Sequence, residues 1–221
     1  LEHRRQRQMC IRDSNITMLE RVFNNAKKSS ATEVFIATDS DKVFKSAKKY
    51  TKNVFMTSNK NVNGTERVAE LANILKWKAD TLVINLQADM PELQYDNINL
   101  LAEKSTNNEG LSTLYYDLEN SKLKMSKNTV KICIDGENIN FCRLAEGNIS
   151  DKIYKHIGIY GYYVKDLNSY KQLPQSENEK DLSLEQFRFV DNGYKISAYY
   201  AVSDPGISID SSDNLNEIRK V

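Results

Sequence analysis

The sequence predicts a single α/β domain with a mixed, mostly parallel sheet flanked by helices and a strand-rich insertion in its second half. Three observations carry that expectation. Strand-like and helix-like segments alternate through the first hundred residues, the pattern of βαβ units with helices on both faces. Residues 81–87 (T-L-V-I-N-L-Q) are almost continuously apolar, as a strand buried on both faces of a parallel sheet must be. The second half then changes character and becomes dominated by short strand-like runs.

From Ile16 the elements follow in order. Met18, Leu19, Val22, Phe23 and Ala26 recur at helical spacing, which predicts an amphipathic helix over 17–29. Residues 33–38 form a β-rich run, and Asp39 and Ser40 offer N-caps for a helix over 41–50. Residues 53–57 read as a strand. Gly64 and Thr65 open a helix through Lys76, with Val68, Leu71, Ala72 and Leu75 on one face. Later strands are expected at 111–118, 129–135, 139–144, 156–164 and 196–202, and helices at 165–172, 182–191 and 211–220. Asp135-Gly136 signals a hairpin with a loop longer than two residues.

Composition sets the outer limits. The chain has 221 residues, 40% of them hydrophobic and 28% charged, enough to bury one sizeable core. A net charge of +1 argues against a general nucleic-acid binder. The longest apolar runs are too short for a membrane span, and no apolar stretch of signal-peptide type follows the basic start. Cys10, Cys133 and Cys142 lack metal-type spacing, which fits a reducing cytoplasm, and Cys133 and Cys142, in apolar strand-like runs, are expected as buried thiols.

The N-terminus does not fit the rest. Four of the nine arginines fall in the first twelve residues, a stretch with none of the 22 lysines. This break marks residues 1–14 as a segment foreign to the gene, with the domain proper over 15–221; the alternative is a basic arm for an anionic partner.

Several residues carry candidate chemistry, and each has a plainer reading beside it. Asp89 follows the buried strand 81–87, where ligands bind in open α/β sheets, and a carboxylate there can hold Mg²⁺. It can equally be a turn residue ahead of Pro91. Asp210 ends the run Ile207–Asp210 and is either a second metal ligand or a cap for the last helix. Gly64-Thr65-Glu66-Arg67 opens a helix whose N–H groups favour an anion. His156 and Tyr160 share one face of the run H-I-G-I-Y-G-Y-Y, where two glycines leave room for a ligand; a strand-end histidine satisfied by the protein is the alternative. Arg67, Arg143 and Arg188 stand out in a lysine-biased chain as anion contacts or as members of buried ion pairs. No G-x-x-x-x-G-K-S/T and no G-x-G-x-x-G occurs, which disfavours a P-loop ATPase or a dinucleotide dehydrogenase.

Taken in order, these strings resemble the 3-deoxy-manno-octulosonate (Kdo) cytidylyltransferases, the CMP-Kdo synthetases of lipopolysaccharide synthesis. The matching pieces are V-F-I-A-T-D (34–39), N-G-T-E-R-V-A-E (63–70), V-I-N-L-Q-A-D-M-P (83–91), V-K-I-C (130–133), F-C-R (141–143), H-I-G-I-Y-G-Y (156–162), L-E-Q-F-R (184–188) and P-G-I-S-I-D (205–210). The resemblance runs from about residue 15 to the C-terminus. It implies a Rossmann-like nucleotide-diphospho-sugar transferase fold, with the insertion serving dimerisation. It implies that Kdo attacks the α-phosphate of CTP, with Mg²⁺ held by Asp89 and Asp210. Gly64, Thr65, Glu66 and Arg67 then belong to the nucleotide side. Gln87, Arg143, His156, Tyr160, Glu185 and Gln186 belong to the sugar side. A cytoplasmic homodimer acting on small molecules, with no nucleic-acid or membrane partner, completes the expectation.

The chain departs from the pattern in three places. The family's Q-G-D-E-P reads Q-A-D-M-P here, which removes an acid beside the metal site. The family's S-R reads C-R at 142–143. The family's first strand and its basic, glycine-containing triphosphate loop have no counterpart, and residues 1–14 stand in their place. Little turnover is therefore expected of the chain as written. A synthetase for another acid sugar, such as a sialic acid, and an inactive dimerising sugar-binding remnant are the competing readings.

Overall fold

The computed structural model describes residues 12–13, 16–118, 126–136, 138–143 and 152–209. The chain divides into two compact units. One comprises the described residues of 1–77, 86–99 and 203–221; the other comprises those of 78–85 and 100–202.

In the first unit, β1 (Arg12–Asp13) pairs antiparallel with β2 (Ile16–Thr17). Thr17 then caps α1 (Met18–Lys28), its hydroxyl accepting the Glu20 N–H at 3.1 Å. The predicted stripe is the buried one: Met18, Leu19, Val22 and Phe23 face inward. β3 (Ile36–Thr38), α2 (Asp41–Ala47) and β4 (Val54–Met56) form a βαβ unit, with the two strands parallel. Leu19, Phe23, Ile36, Val43, Ala47 and Val54 make its core. α3 (Gly64–Ile74) follows, capped by Asn63, whose Oδ1 accepts the Glu66 N–H at 2.9 Å.

The second unit is built on a mixed sheet. Its strands are β5 (Leu82–Leu86), β6 (Leu111–Tyr116), β7 (Lys131–Asp135), β8 (Asn138–Cys142), β9 (Lys152–Tyr163) and β10 (Ile196–Tyr200). The order is β10-β6-β9-β7-β8, with β5 also pairing β9. β10 and β6 are parallel, whereas β6–β9, β7–β9 and β7–β8 are antiparallel. α4 (Tyr95–Ser105) precedes β6, and α5 (Val164–Tyr170), α6 (Glu177–Leu182) and α7 (Phe187–Asp191) lie between β9 and β10. Ile132, Phe141, Leu184 and Phe187 form the core under the insertion strands.

Five local points are corrected. Asp135 pairs with Asn138, so the β7–β8 turn has two residues, and Gly136 supplies the positive φ of 58° that such a turn needs. The helix expected over 182–191 is two short helices, because Ser183 adopts the left-handed conformation at φ 52° and ends α6. α4 was not foreseen. Gly161 does not open space for a ligand: an added Cβ would collide with the Ser105 side chain, so the glycine exists to let α4 approach β9. Cys133 and Cys142 are half-buried thiols on neighbouring strands, 3.9 Å apart, rather than buried ones. The helix expected over 211–220 lies outside the described residues. Among the described residues no helix is long and apolar enough to cross a membrane.

Candidate active site

The first unit gathers the predicted nucleotide-side residues around the start of α3. Arg67, in the first turn, donates from Nη2 to Asp39 Oδ2 at 2.9 Å and from Nη1 to Thr57 Oγ1 at 2.8 Å. Asp39 ends the β3 run and Thr57 ends the β4 run, and the Thr57 N–H donates to the Thr38 carbonyl at 2.9 Å. One guanidinium therefore ties both strand ends to the helix start. Asp39 was expected as a helix cap; Ser40 takes that role, accepting from the Val43 N–H, and the carboxylate goes to Arg67.

The turn itself is held by its own acids. Glu66 Oε2 accepts the Val62 N–H at 3.0 Å while Asn63 caps Glu66, a reciprocal arrangement of the capping-box kind. One turn later the Glu70 carboxylate accepts the Ser58 N–H and the Asn61 amide. Thr65 is buried at 2% exposure behind Gly64. The loop before α3 is thus a fixed frame, with the helix N-terminus and its partial positive charge beside Arg67.

Asp89 lies three residues beyond β5 with a half-buried side chain, and Gln87 is half-buried two residues before it. The segment approaching Asp210 is stitched alongside. The Ile209 N–H donates to the Asp89 carbonyl at 2.9 Å, the Ile207 N–H donates to Glu92 Oε2 at 2.9 Å, and the Asn97 amide donates to the Ser203 carbonyl at 3.1 Å. Asp210 itself lies outside the described residues. Met90 is buried, and two residues on Glu92 grips the run that precedes Asp210. Among the described residues no group of three or more His, Cys, Asp or Glu could hold a metal. Mg²⁺ does not require one, because it binds through one or two carboxylates with substrate phosphates completing the shell. The hard oxygens of Asp89 fit that chemistry.

The second unit gathers most of the predicted sugar-side residues on β9 and the 184–188 segment. His156 Nε2 is 2.9 Å from Thr113 Oγ1. Its ring meets Phe141 edge-on at 5.0 Å and lies 5.8 Å from the Tyr160 ring. Burial without a compensating charge pushes its pKa down to about 3, so the imidazole is neutral. The Tyr160 hydroxyl donates to Gln186 Oε1 at 3.0 Å. Gln186 is 2% exposed, and its Nε2 has no partner among the described residues. His156, Tyr160 and Gln186 are therefore contiguous.

The remaining sugar-side residues are placed differently. Glu185 is half-buried, and its carbonyl accepts the Tyr170 hydroxyl at 3.1 Å. Arg143 sends Nε to the Leu182 carbonyl at 2.6 Å, Nη2 to the Ser183 carbonyl and Nη1 to the Lys127 carbonyl. Three of its donors thus hold loops that frame the 184–188 segment. Arg188 takes the ion-pair option: Nε and Nη2 reach both Glu179 oxygens at 2.8 and 2.6 Å, and its guanidinium lies 4.4 Å from the Tyr170 ring centroid. Lys131, fully buried, donates to the Ser126 and Arg143 carbonyls, and burial lowers its pKa. Thr113, Asp39 and Glu92 were missed by the sequence reading. Only Asp39 carried a signal, as an acid at a strand end like Asp89.

Comparison with known proteins completes the picture. The cytidylyltransferase family model matches residues 14–196. A curated 3-deoxy-manno-octulosonate cytidylyltransferase of Fusobacterium nucleatum is 34% identical over 212 residues, covering 91% of this chain and 84% of the relative. The chain belongs to the 3-deoxy-manno-octulosonate cytidylyltransferase family. A second cytidylyltransferase of that name, from Francisella tularensis, is 31% identical and covers 92% of this chain and 87% of its own. The solved structure of CMP:2-keto-3-deoxy-manno-octonic acid synthetase complexed with CTP superposes with a TM-score of 0.84 at 27% identity, covering 96% of this chain and 90% of that one. A 4-diphosphocytidyl-2C-methyl-D-erythritol synthase shares the fold alone, at 11% identity and a TM-score of 0.68.

Proposed function

We infer that the chain couples CTP to Kdo, giving CMP-Kdo and pyrophosphate for lipopolysaccharide synthesis. The observation that carries this reading is the 34% identity to a Kdo cytidylyltransferase across 91% of the chain. The anomeric hydroxyl oxygen of Kdo forms the new bond to the α-phosphorus of CTP, and the bond to pyrophosphate breaks. In such chemistry the protein mostly positions the reactants and offsets charge.

The residues divide the labour by charge. Gly64, Thr65 and Glu66 present the start of α3 to the nucleotide, and Arg67 adds a cation fixed by Asp39 and Thr57. Asp89 and Asp210 would hold Mg²⁺, which supplies neutralisation of the triphosphate and polarises the reacting phosphorus. Glu92 and Asn97 keep the run that ends at Ile209 against Asp89. Gln87, Arg143, His156, Tyr160, Glu185 and Gln186 serve the sugar acid. Neutral donors and acceptors suit its hydroxyls, and a guanidinium suits its carboxylate. The thiols of Cys133 and Cys142 support a cytoplasmic setting, and β8, which ends the strand order, supports a homodimer formed through the insertion.

Calorimetry with CTP, with Kdo and with sialic acid, combined with a pyrophosphate-release assay, tests the reading. Saturable binding of CTP and Kdo is expected, with any turnover requiring both and abolished by EDTA. Binding of sialic acid in preference to Kdo, or binding of neither nucleotide nor sugar, would overturn it.

A further inference from the structure

We propose that Thr113 is a positioning residue: it locks His156 in the neutral form protonated on Nε2, so that the Nδ1 lone pair is left to accept a hydroxyl hydrogen from the sugar acid. The ligand half of this inference rests on the reading of His156 as a sugar-side residue. The tautomer half stands on the Thr113 geometry and on the burial of the ring.

The β6–β9 ladder supplies the geometry. Thr113 pairs with Tyr160, but the next residue, Leu114, pairs with Ile157, so Gly158 and Ile159 bulge out of register. Two β9 carbonyls consequently converge on the Thr113 hydroxyl. Oγ1 lies 2.9 Å from the Ile159 carbonyl and 3.2 Å from the Ile157 carbonyl. His156 Nε2 lies 2.9 Å from the same oxygen.

A hydroxyl has one hydrogen to give and two lone pairs to receive. Carbonyl oxygens can only accept. The Thr113 hydrogen therefore goes to the β9 carbonyls, and the nearer Ile159 oxygen is its main partner. The third neighbour, Nε2, must then donate to Oγ1 and carry the ring proton. The reverse assignment would spend the single hydrogen on Nε2 and leave Oγ1 facing two carbonyl oxygens with nothing between them. Thr113 is fully buried, so such a mismatch would have no solvent to relieve it.

The ring's surroundings complete the argument. Phe141 and Tyr160 flank it with aromatic rings, and burial keeps it uncharged. A neutral imidazole with Nε2 protonated has its lone pair on Nδ1. Among the described residues the bond to Thr113 is the one the ring makes, so Nδ1 remains available to a ligand. An acceptor of that kind selects O–H donors, which an eight-carbon sugar acid has in number.

Nitrogen-15 NMR tests the assignment directly, because the chain has only two histidines, His3 and His156, and the variant His156→Gln separates them. At neutral pH His156 is expected to show a protonated Nε2 and an unprotonated Nδ1, and added Kdo is expected to move the Nδ1 resonance. Thr113→Val should give mixed tautomers and weaken Kdo binding about tenfold, the worth of one such hydrogen bond, with CTP binding unchanged. Thr113→Ser should restore both. A proton on Nδ1 or an imidazolium in the wild type would overturn the proposal, as would an unchanged tautomer in Thr113→Val. The expected tautomer with an Nδ1 resonance indifferent to bound Kdo would overturn the acceptor role. A chain with that tautomer that binds no Kdo at all would instead count against the functional reading. If Thr113→Val does not fold, the wild-type and Thr113→Ser spectra decide.

Discussion

The two units hold their functional residues by opposite means. In the first, the frame around α3 is charged: Arg67 with Asp39, Glu66 with the Val62 N–H, Glu70 with Ser58 and Asn61. In the second, the side chains around His156 are neutral, and the charges sit behind them as the buried Arg188–Glu179 pair. The difference suits the proposed division of labour, with the nucleotide at the first unit and the sugar acid at the second. A triphosphate with its metal is recognised by charge and by helix N-termini, whereas a polyhydroxylated sugar is recognised by oriented donors and acceptors in a dry site.

Four experiments test that contrast, in falling order of effect. Asp89→Asn keeps the main-chain carbonyl that receives Ile209 but removes the charge. Whatever turnover the chain supports with Mg²⁺ is expected to fall on the order of 1,000-fold, from the loss of several kcal/mol of charge stabilisation. Mn²⁺ binding followed by electron paramagnetic resonance should weaken in parallel, and unaltered Mn²⁺ binding would remove Asp89 from the metal site.

Glu179→Ala leaves the Arg188 guanidinium buried, at 3% side-chain exposure, with no carboxylate. Urea unfolding should report a loss of about 3–5 kcal/mol. A loss below about 1 kcal/mol would mean that contacts other than the Glu179 carboxylate hold the guanidinium, Tyr170 stacking among them.

The third experiment concerns pH. His156 takes up a proton near 6.5 when unfolded but only near 3 when folded. Between those values the unfolded state binds more protons, so stability falls as pH falls. It should fall by about 1.4 kcal/mol for each pH unit across that window. Above pH 6.5 the ring is neutral in both states and the contribution is constant. The difference between wild type and His156→Gln isolates this slope from that of the acids, and a flat difference would show that the folded ring is charged.

Arg67→Lys should have the smallest effect. A lysine can reach Asp39 or Thr57 but cannot bridge both with a planar fork. CTP affinity should fall about tenfold, equal to one lost charge-assisted hydrogen bond, with little change in Kdo affinity. Equal losses for both ligands would point to general unfolding of the frame.

The elements that were legible in advance are those whose burial follows the backbone's own period. The α1 stripe and the opening of α3 appear where helical spacing places them. β5 lies where its apolar run places it, but it is half-buried except at Asn85 rather than buried on both faces. The failures have physical causes. α4 carries Asn97 and Asn99, poor helix formers, and the helix is secured from outside itself by the Asn97 bonds to Ser203. The break at Ser183 depends on a left-handed serine, which no composition rule marks. Gly161 was read as an opening for ligand because glycine is small, whereas the space belongs to Ser105.

The site shows the same division. The types of its residues, and their order along the chain, were readable as strings such as G-T-E-R and H-I-G-I-Y-G-Y. Their partners were not. Arg67 meets an acid 28 residues away, and His156 meets a hydroxyl 43 residues away. Nothing local predicts which buried group will face which.

By itself the sequence determined the alternation of strands and helices, the two stretches proposed to bear the functional side chains, and the family. Only the tertiary structure decided that Arg67 is a bridge, that Arg188 is a buried ion-pair partner, and that His156 is a neutral ring with its proton assigned by Thr113. The reason is one of range. Backbone hydrogen bonding and alternating burial act over a few residues and leave a period in the chain. Charge state and hydrogen-bond direction depend on desolvation and on contacts made across the fold, and those leave no period to read.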